Sequence, residues 1–347
     1  MQALVWTAAE NMEYTASRDK PVAGEDEVLI RVEAVGICGS EIEGYLGHNS
    51  LRVPPLVMGH EFCGRIVELG GRAAGLGIGI GQKAVVNPLR HCGACAACRK
   101  GNTQLCAVRR IVGIHSPGAF GEYVAVPAAS VVPVPESLDP FRAALAEPLA
   151  CSLRATRRAM QRHSFANVVV FGAGGIGILC AKTAKLLGAE RVIMLDTQDE
   201  RLSMAARVAA DATINPRSAD IKEEIGRIAG EKGVDVVIDA AGFQPTRSAA
   251  MSIVNAGGTV MNIGLGIDDT VLPINVQIRG EIELLGSFCY NERDFRDAVD
   301  LLINGSVTEE GWTEIRPLSA GAGAFRDLVG GRVKSGKIFL AMGGERA

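Results

Sequence analysis

Aromatic residues are scarce in this sequence, with two tryptophans and four tyrosines among 347 residues. That leaves little from which to build a strongly aromatic binding slot. An excess of basic charge is also missing. Net charge is −3 and the isoelectric point about 6.0, so no overall positive field draws the chain to nucleic acid or an anionic membrane. The longest nearly uncharged apolar stretch, Val168 to Ala181, is broken by glycine and alanine and ends before Lys182. Spanning a bilayer takes ~20 apolar residues. The N-terminus carries Glu10 and Glu13 and lacks the basic-then-apolar pattern of a signal peptide. A cytoplasmic setting is the expectation.

What is present is ordinary globular material, 48% hydrophobic and 22% charged, in a chain longer than one core usually organises, so two domains are expected. The nine cysteines are odd in number and come with no export signal, which argues against a disulfide framework. Four of them fall between Cys92 and Cys106, and such clustering in a reducing compartment reads as metal ligation.

The first 135 or so residues read as mainly β. Val28, Ile30, Val32 and Ala34 alternate with Arg31 and Glu33 as in a half-buried strand, and further short strands are expected at Arg65–Leu69 and Ala84–Val86. Gly75, Gly77, Gly79 and Gly81 at every second position predict a flexible loop. After Pro148 the pattern changes. Strands are predicted at Val168–Phe171, Arg191–Leu195, Val234–Asp239 and Gly258–Ile263. Helices are predicted between them at Gly175–Leu187, Glu200–Ala209 and Thr246–Val254. This alternation implies βαβ units on a doubly wound parallel sheet. An amphipathic helix is expected at Glu292–Ile303, and the tail from Val307 to Met342 is expected to return to the first domain. The expected division is 1–150 plus 290–347 for one domain, with a cysteine lobe at about 90–110, and 151–289 for the other.

Gly172-Ala-Gly174-Gly175-Ile176-Gly177 follows the predicted strand and opens the predicted helix. A lone G-x-G-x-x-G is weak, but here Asp196 closes the next strand about 20 residues on, as a dinucleotide fold requires. Gly172 permits the tight turn, Gly174 lets the backbone approach a pyrophosphate, and Gly177 lets helix pack on strand. The helix N-terminus, at Gly175 and Ile176, offers oriented N–H groups to the phosphates. Asp196 is suited to the adenosine ribose hydroxyls and would repel a 2′-phosphate, which favours NAD over NADP. Arg201, a helical turn on, is expected to flank the adenine.

Cys92-x-x-Cys95-x-x-Cys98 followed by Cys106 supplies four thiolates from one short loop, the closed tetrahedral set of a structural zinc. Cys38, His60, Glu61 and Glu147 are dispersed candidates for a second zinc with an exchangeable position. No sequence rule alone joins them. Gly59-His60-Glu61-x-x-Gly64-x5-Gly70, the Cys38-Gly39-Ser40 segment, the four-cysteine loop and the later G-x-G-x-x-G nevertheless occur, over essentially the whole chain, in the order of zinc-containing medium-chain alcohol dehydrogenases. The sequence resembles their polyol branch (sorbitol and galactitol-phosphate dehydrogenases) and its threonine dehydrogenase relatives.

The resemblance implies a barrel-like (GroES-like) catalytic domain with a Rossmann domain inserted before its last segment. It implies Cys38 and His60 as catalytic zinc ligands and leaves open whether Glu61 or Glu147 is the third. Two zinc ions per chain, NAD, a small alcohol substrate and a homodimer or homotetramer, paired through edge strands around Val271–Leu285, are implied as well. Two positions depart from the family. Glu41 replaces the aspartate that orients the zinc histidine, a carboxylate on a longer arm. Glu43 replaces the histidine that ends the proton relay, so the proton passes through Glu43 or by another route, such as His48. At Cys289, some polyol enzymes carry an arginine near the substrate.

The implied reaction moves a hydride from a secondary carbinol to the nicotinamide, with zinc acidifying the hydroxyl, Ser40 passing its proton toward the ribose, and Glu61 and Glu43 beside them. A polyol, cyclitol or sugar-derived alcohol is the expected substrate, because a glutamate ligand makes a harder, more polar zinc site. An amino alcohol such as threonine is the alternative within the class. From another class comes a nucleotide-responsive binding or scaffold protein without turnover, which would need none of Cys38, Ser40, His60, Glu61 and Glu147.

Overall fold

The computed structural model describes residues 1–48 and 50–343, so the last four residues of the segment expected to end at 347 lie outside it. The chain divides into two compact units. Unit 1 is Met1–Glu147, Asn291–Val333 and the chain from Lys337 onward; unit 2 is Pro148–Tyr290 with Lys334–Gly336.

Unit 1 opens with an antiparallel hairpin, β1 (Ala3–Ala8) and β2 (Asn11–Thr15). It continues through β3 (Glu27–Gly36), α1 (Gly39–Tyr45), β4 (Glu61–Leu69), β5 (Lys83–Val86), β6 (Leu89–Arg90), α2 (Ala96–Arg99), β7 (Arg110–Ile111), β8 (Tyr123–Pro127), β9 (Val131–Pro133) and α3 (Pro140–Ala143). Strand β3 is buried on both faces apart from Glu27, Arg31 and Glu33. It is less half-exposed than its alternation suggests because α3 packs over β3 and β4. The 75–81 glycine stretch forms no strand or α-helix.

Helix α4 (Ala146–Met160) carries the chain into unit 2. There β10 (Asn167–Phe171), α5 (Gly175–Leu186), β11 (Arg191–Leu195), α6 (Asp199–Val208), β12 (Ala212–Ile214), α7 (Ile221–Ala229), β13 (Val234–Asp239), α8 (Gln244–Ile253), β14 (Val254–Asn262), α9 (Ile274–Arg279) and β15 (Glu283–Gly286) follow. The six strands are all parallel, in the order β12-β11-β10-β13-β14-β15. This is the doubly wound Rossmann arrangement, whose strand order reverses between β10 and β13 and whose ligands bind at the carboxyl ends there. All five residues of β10 are buried, each large apolar side chain contributing about 1.5–3 kcal/mol. Residues 271–285, expected as edge strand, are strand only at Glu283–Gly286. Pro273 precedes the helix α9 instead, since proline fixes φ for a helix entry and cannot donate to a ladder.

The chain then completes unit 1 with α10 (Glu292–Ile303), β16 (Thr313–Pro317), α11 (Gly321–Val329) and β17 (Lys337–Ala341). The main sheet runs β16-β17-β3-β4-β5-β9, with β8 also paired to β3. Strand β3 therefore lies between β4, which follows the His60 segment, and β17 near the far end of the chain. One continuous core, including Leu4, Ile30, Phe62, Phe120, Phe325 and Leu340, fills this unit.

Candidate active site

Cys38 is the N-cap of α1, and its backbone N–H donates to Glu41 Oε2 at 3.0 Å, closing a capping box. The other carboxylate oxygen of Glu41 accepts from Gly59 N–H at 2.9 Å and meets His60 Nδ1 at 2.8 Å. Glu41 has no exposed surface, so one buried carboxylate fixes both the loop carrying Cys38 and the imidazole of His60. Burial pulls the His60 proton affinity down, but the Glu41 carboxylate and Cys38 outweigh it and hold the imidazole well above its ordinary value. The longer arm of Glu41 thus reaches the histidine it was expected to orient.

Glu61 starts β4 opposite Gly36 of β3, and its carboxylate pairs with the Lys337 ammonium of β17. Both are buried. A side chain at Gly36 would run into the Glu61 carboxylate and lie 2.8 Å from Lys337 Cε. Glycine there is a requirement of the ion pair. Burial lowers the Lys337 affinity for its proton, but Glu61 more than offsets this and keeps the amine charged.

Cys38, His60 and Glu61 each bring a ligand atom within 4.8 Å of the other two. The donor types suit zinc, and Glu61 Oε1 is buried without a hydrogen bond, so the set fits a cation. Glu147, buried in the first turn of α4, is not one of these three. Ser40 Oγ donates to Cys38 Sγ at 3.4 Å. Glu43 Oε2 meets His48 Nδ1 at 3.4 Å, with both side chains substantially exposed.

Cys92, Cys95, Cys98 and Cys106 form a second cluster. Their sulfurs are 3.9 Å apart for Cys92–Cys98, 3.5 Å for Cys95–Cys98 and 3.6 Å for Cys92–Cys106. Four sulfurs at the zinc–thiolate distance of about 2.3 Å in a tetrahedron stand about 3.8 Å apart. All four are free thiols. Backbone N–H groups, Cys98 foremost, pull Cys95 down to about 6, whereas burial pushes Cys98 up to about 12.

In unit 2, Gly172 has φ +96°, and a side chain at Gly177 would collide with the Gly172 carbonyl. A Cβ on Gly174 would meet nothing within 4 Å, so the N-terminus of α5, with Gly175 and Ile176 in its first turn, opens onto free space where a phosphate can approach. Asp196 Oδ2 accepts from Ala173 N–H at 2.8 Å and Oδ1 from Gln198 N–H at 2.9 Å. The carboxylate therefore also braces the glycine turn, a role its spacing alone does not show. Arg201 is half-buried in the first turn of α6.

Residues 24–136 match the model of the alcohol dehydrogenase GroES-like domain and residues 175–304 that of the zinc-binding dehydrogenase. L-galactonate-5-dehydrogenase of Escherichia coli (strain K12) is 34% identical over 293 residues, 84% of this chain and 85% of its own. Among solved structures, galactitol-1-phosphate dehydrogenase from Escherichia coli superposes with a TM-score of 0.89 at 25% identity, covering 98% of this chain and 100% of that one. L-idonate 5-dehydrogenase from Escherichia coli K-12 (MG1655) gives 0.85 at 27%, covering 98% and 97%. The chain belongs to the zinc-containing medium-chain alcohol dehydrogenase family. It is an alcohol-oxidising, nicotinamide-linked enzyme of the polyol dehydrogenase type.

Lys337 was not legible as a site residue; a single lysine heading the apolar strand Lys337-Ile-Phe-Leu-Ala341 was the available signal. Because Glu41 holds His60 in orientation, Glu41→Gln is expected to weaken catalytic zinc binding about 10- to 100-fold, leaving the cysteine-lobe zinc in place. Competition with a graded chelator reads both sites separately.

Proposed function

We propose that the enzyme oxidises a secondary alcohol of a hydroxyl-rich substrate (a polyol, cyclitol or sugar-derived compound) with NAD, using one catalytic and one structural zinc per chain. The observation that carries the reading is the convergence of half-buried Cys38 with buried His60 and Glu61 as a set of mixed thiolate, imidazole and carboxylate donors. Cys38, His60 and Glu61 hold the catalytic zinc, with Glu147 as the alternative carboxylate. Cys92, Cys95, Cys98 and Cys106 hold the structural one. Bound zinc supplies Lewis acidity at the substrate hydroxyl, and bound NAD supplies the hydride acceptor. Ser40 takes the hydroxyl proton, and Glu43 with His48 offers a route to solvent.

The names of the relatives, acting on galactonate, galactitol phosphate and idonate, support a sugar-derived substrate over an amino alcohol. A scaffold without turnover is disfavoured by the cost of burying Glu41, Glu61 and Lys337 together. The test is metal content together with NADH production over a panel of polyols, cyclitols, sugar acids and amino alcohols, with and without chelator. Two zinc ions per chain and chelator-sensitive oxidation of a sugar-derived alcohol are expected; one zinc and no turnover would sink the proposal.

The preference for NAD is assigned to Asp196. Asp196→Asn is expected to shift the NADP-to-NAD ratio of kcat/KM about 10- to 100-fold toward NADP, equivalent to about 1.4–2.8 kcal/mol, because a negative charge beside the 2′-position is removed. The KM for NAD should rise as well, since the brace on Ala173 and Gln198 is weakened. Nine free thiols suit a cytoplasmic setting. Assembly as a homodimer or homotetramer is supported by exposed Val271, Ile274 and Ile278 beside β15, the sheet edge; light scattering reads the state.

A further inference from the structure

Arg52 lies between α1 and β4 and takes no part in the arrangement above. Only 3% of its surface is exposed. Nη2 donates to the Ser40 hydroxyl at 3.2 Å, while Nε and Nη1 are buried with no hydrogen-bond partner. Glu41 and Cys38 act on the guanidinium only through space, and among the described residues no carboxylate forms an ion pair with it. Its place is made by Gly44 on α1. A Cβ there would stand 2.7 Å from Arg52 Cδ and 3.2 Å from Nε.

A buried guanidinium with two idle nitrogens is costly. Arginine presents five donors in a rigid fork that matches a carboxylate or a phosphate. This fork stands beside Ser40, the hydroxyl assigned to the reacting carbinol's proton, so a partner anion would lie a few bonds from that carbinol. We propose that Arg52 binds an anionic group of the substrate, a carboxylate or a phosphate ester, and thereby selects acidic sugar derivatives over neutral polyols. This rests on the alcohol-oxidising role of Cys38, His60 and Ser40 given above. In a site closed to water the charge-assisted bonds are short and strong.

The test compares six-carbon aldonates, the matching alditols and alditol monophosphates as substrates of the two-zinc enzyme. In parallel, calorimetry measures binding of the same compounds to the zinc-loaded protein without cofactor. The native enzyme is expected to favour one anionic series over the alditols by about 10- to 100-fold in kcat/KM, the range that hydrogen bonds to a charged group supply. Arg52→Met should abolish that ratio and the calorimetric signal, and Arg52→Lys should restore part of both. Gly44→Ala, which displaces the side chain and keeps its charge, should act like Arg52→Met and covers the case in which that variant folds poorly.

Preference for aldonates assigns a carboxylate, and preference for the monophosphates assigns a phosphate. Arg52-dependent anion binding without any turnover would sustain the subsite while removing the dehydrogenase reading. Turnover with an anion-to-alditol ratio unmoved by Arg52→Met would overturn the subsite and leave that reading standing. Loss of NADH affinity in place of substrate discrimination would also overturn it, by assigning the guanidinium to the cofactor's phosphates.

Discussion

Replacing His60 with alanine is expected to lower the zinc content from two ions to one per chain and kcat by about 10³-fold or more. Lewis acidity at a reacting hydroxyl lowers the barrier by several kcal/mol, and each ~1.4 kcal/mol is tenfold in rate. Metal analysis and steady-state kinetics read the two effects. NADH affinity should survive, because the glycine turn and Asp196 proposed to carry nucleotide binding belong to unit 2. The loss should be accompanied by reduced stability, since Glu41, fully buried, loses a partner at 2.8 Å. Breaking such a pair costs about 3–5 kcal/mol, so the folded fraction is measured alongside. Turnover at the native rate would refute the metal assignment. Glu61→Gln and Glu147→Gln divide the remaining question, and the glutamate whose replacement lowers zinc content is the direct ligand. The pH dependence has a definite sign. Zinc displaces a proton from His60, which the metal-free site holds above the ordinary histidine value, so loading weakens as pH falls, beginning at a higher pH than for a free histidine.

Cys98→Ser is expected to lower the melting temperature by about 8–16 °C with little direct effect on the chemical step. Loss of a metal belongs with the mechanisms that cost about 4 kcal/mol or more, and a domain of this size moves about 2–4 °C per kcal/mol. The geometry of the lobe concentrates the effect. Helix α2 contains only Ala96–Arg99 and β6 and β7 two residues each, too little regular structure to hold residues 92–106 without the four sulfurs gathered on one ion. Calorimetry and limited proteolysis should find the lobe loosened and cleaved in the variant. Zinc should remain at the Cys38 site. Equal loss of both ions would show that the two centres are not independent.

Sequence patterns were informative where the physics is local. The βα alternation of unit 2 is legible because a strand buried on both faces must be a continuous apolar run, as at Val168–Phe171, and a helix with one solvated face must repeat near 3.6 residues, as at Glu292–Ile303. The four-cysteine loop is legible because all its ligands lie in one short segment. Cys38, His60 and Glu61 are not contiguous, and only the family resemblance joined them before the sheet register did. The Lys337 partnership with Glu61 was beyond reach, since it depends on β17 pairing with β3, which in turn pairs with β4. Arg52 gave no periodic signal; it is an isolated arginine in a loop whose burial follows from the small residue at Gly44. Helix α9 was missed because Ile274, Val276 and Ile278 alternate as a strand would, while Pro273 directs the backbone otherwise.

The Glu61–Lys337 pair also orders events during synthesis. The thiolate lobe is chemically complete once Cys106 has left the ribosome, whereas the buried carboxylate of Glu61 has no counter-charge until the final strand emerges with Lys337 and docks on β3. A nascent chain stalled before that strand should therefore carry a complete four-cysteine lobe and an unfinished sheet beside Glu61. The strand that carries Lys337 decides when this half of the site is assembled.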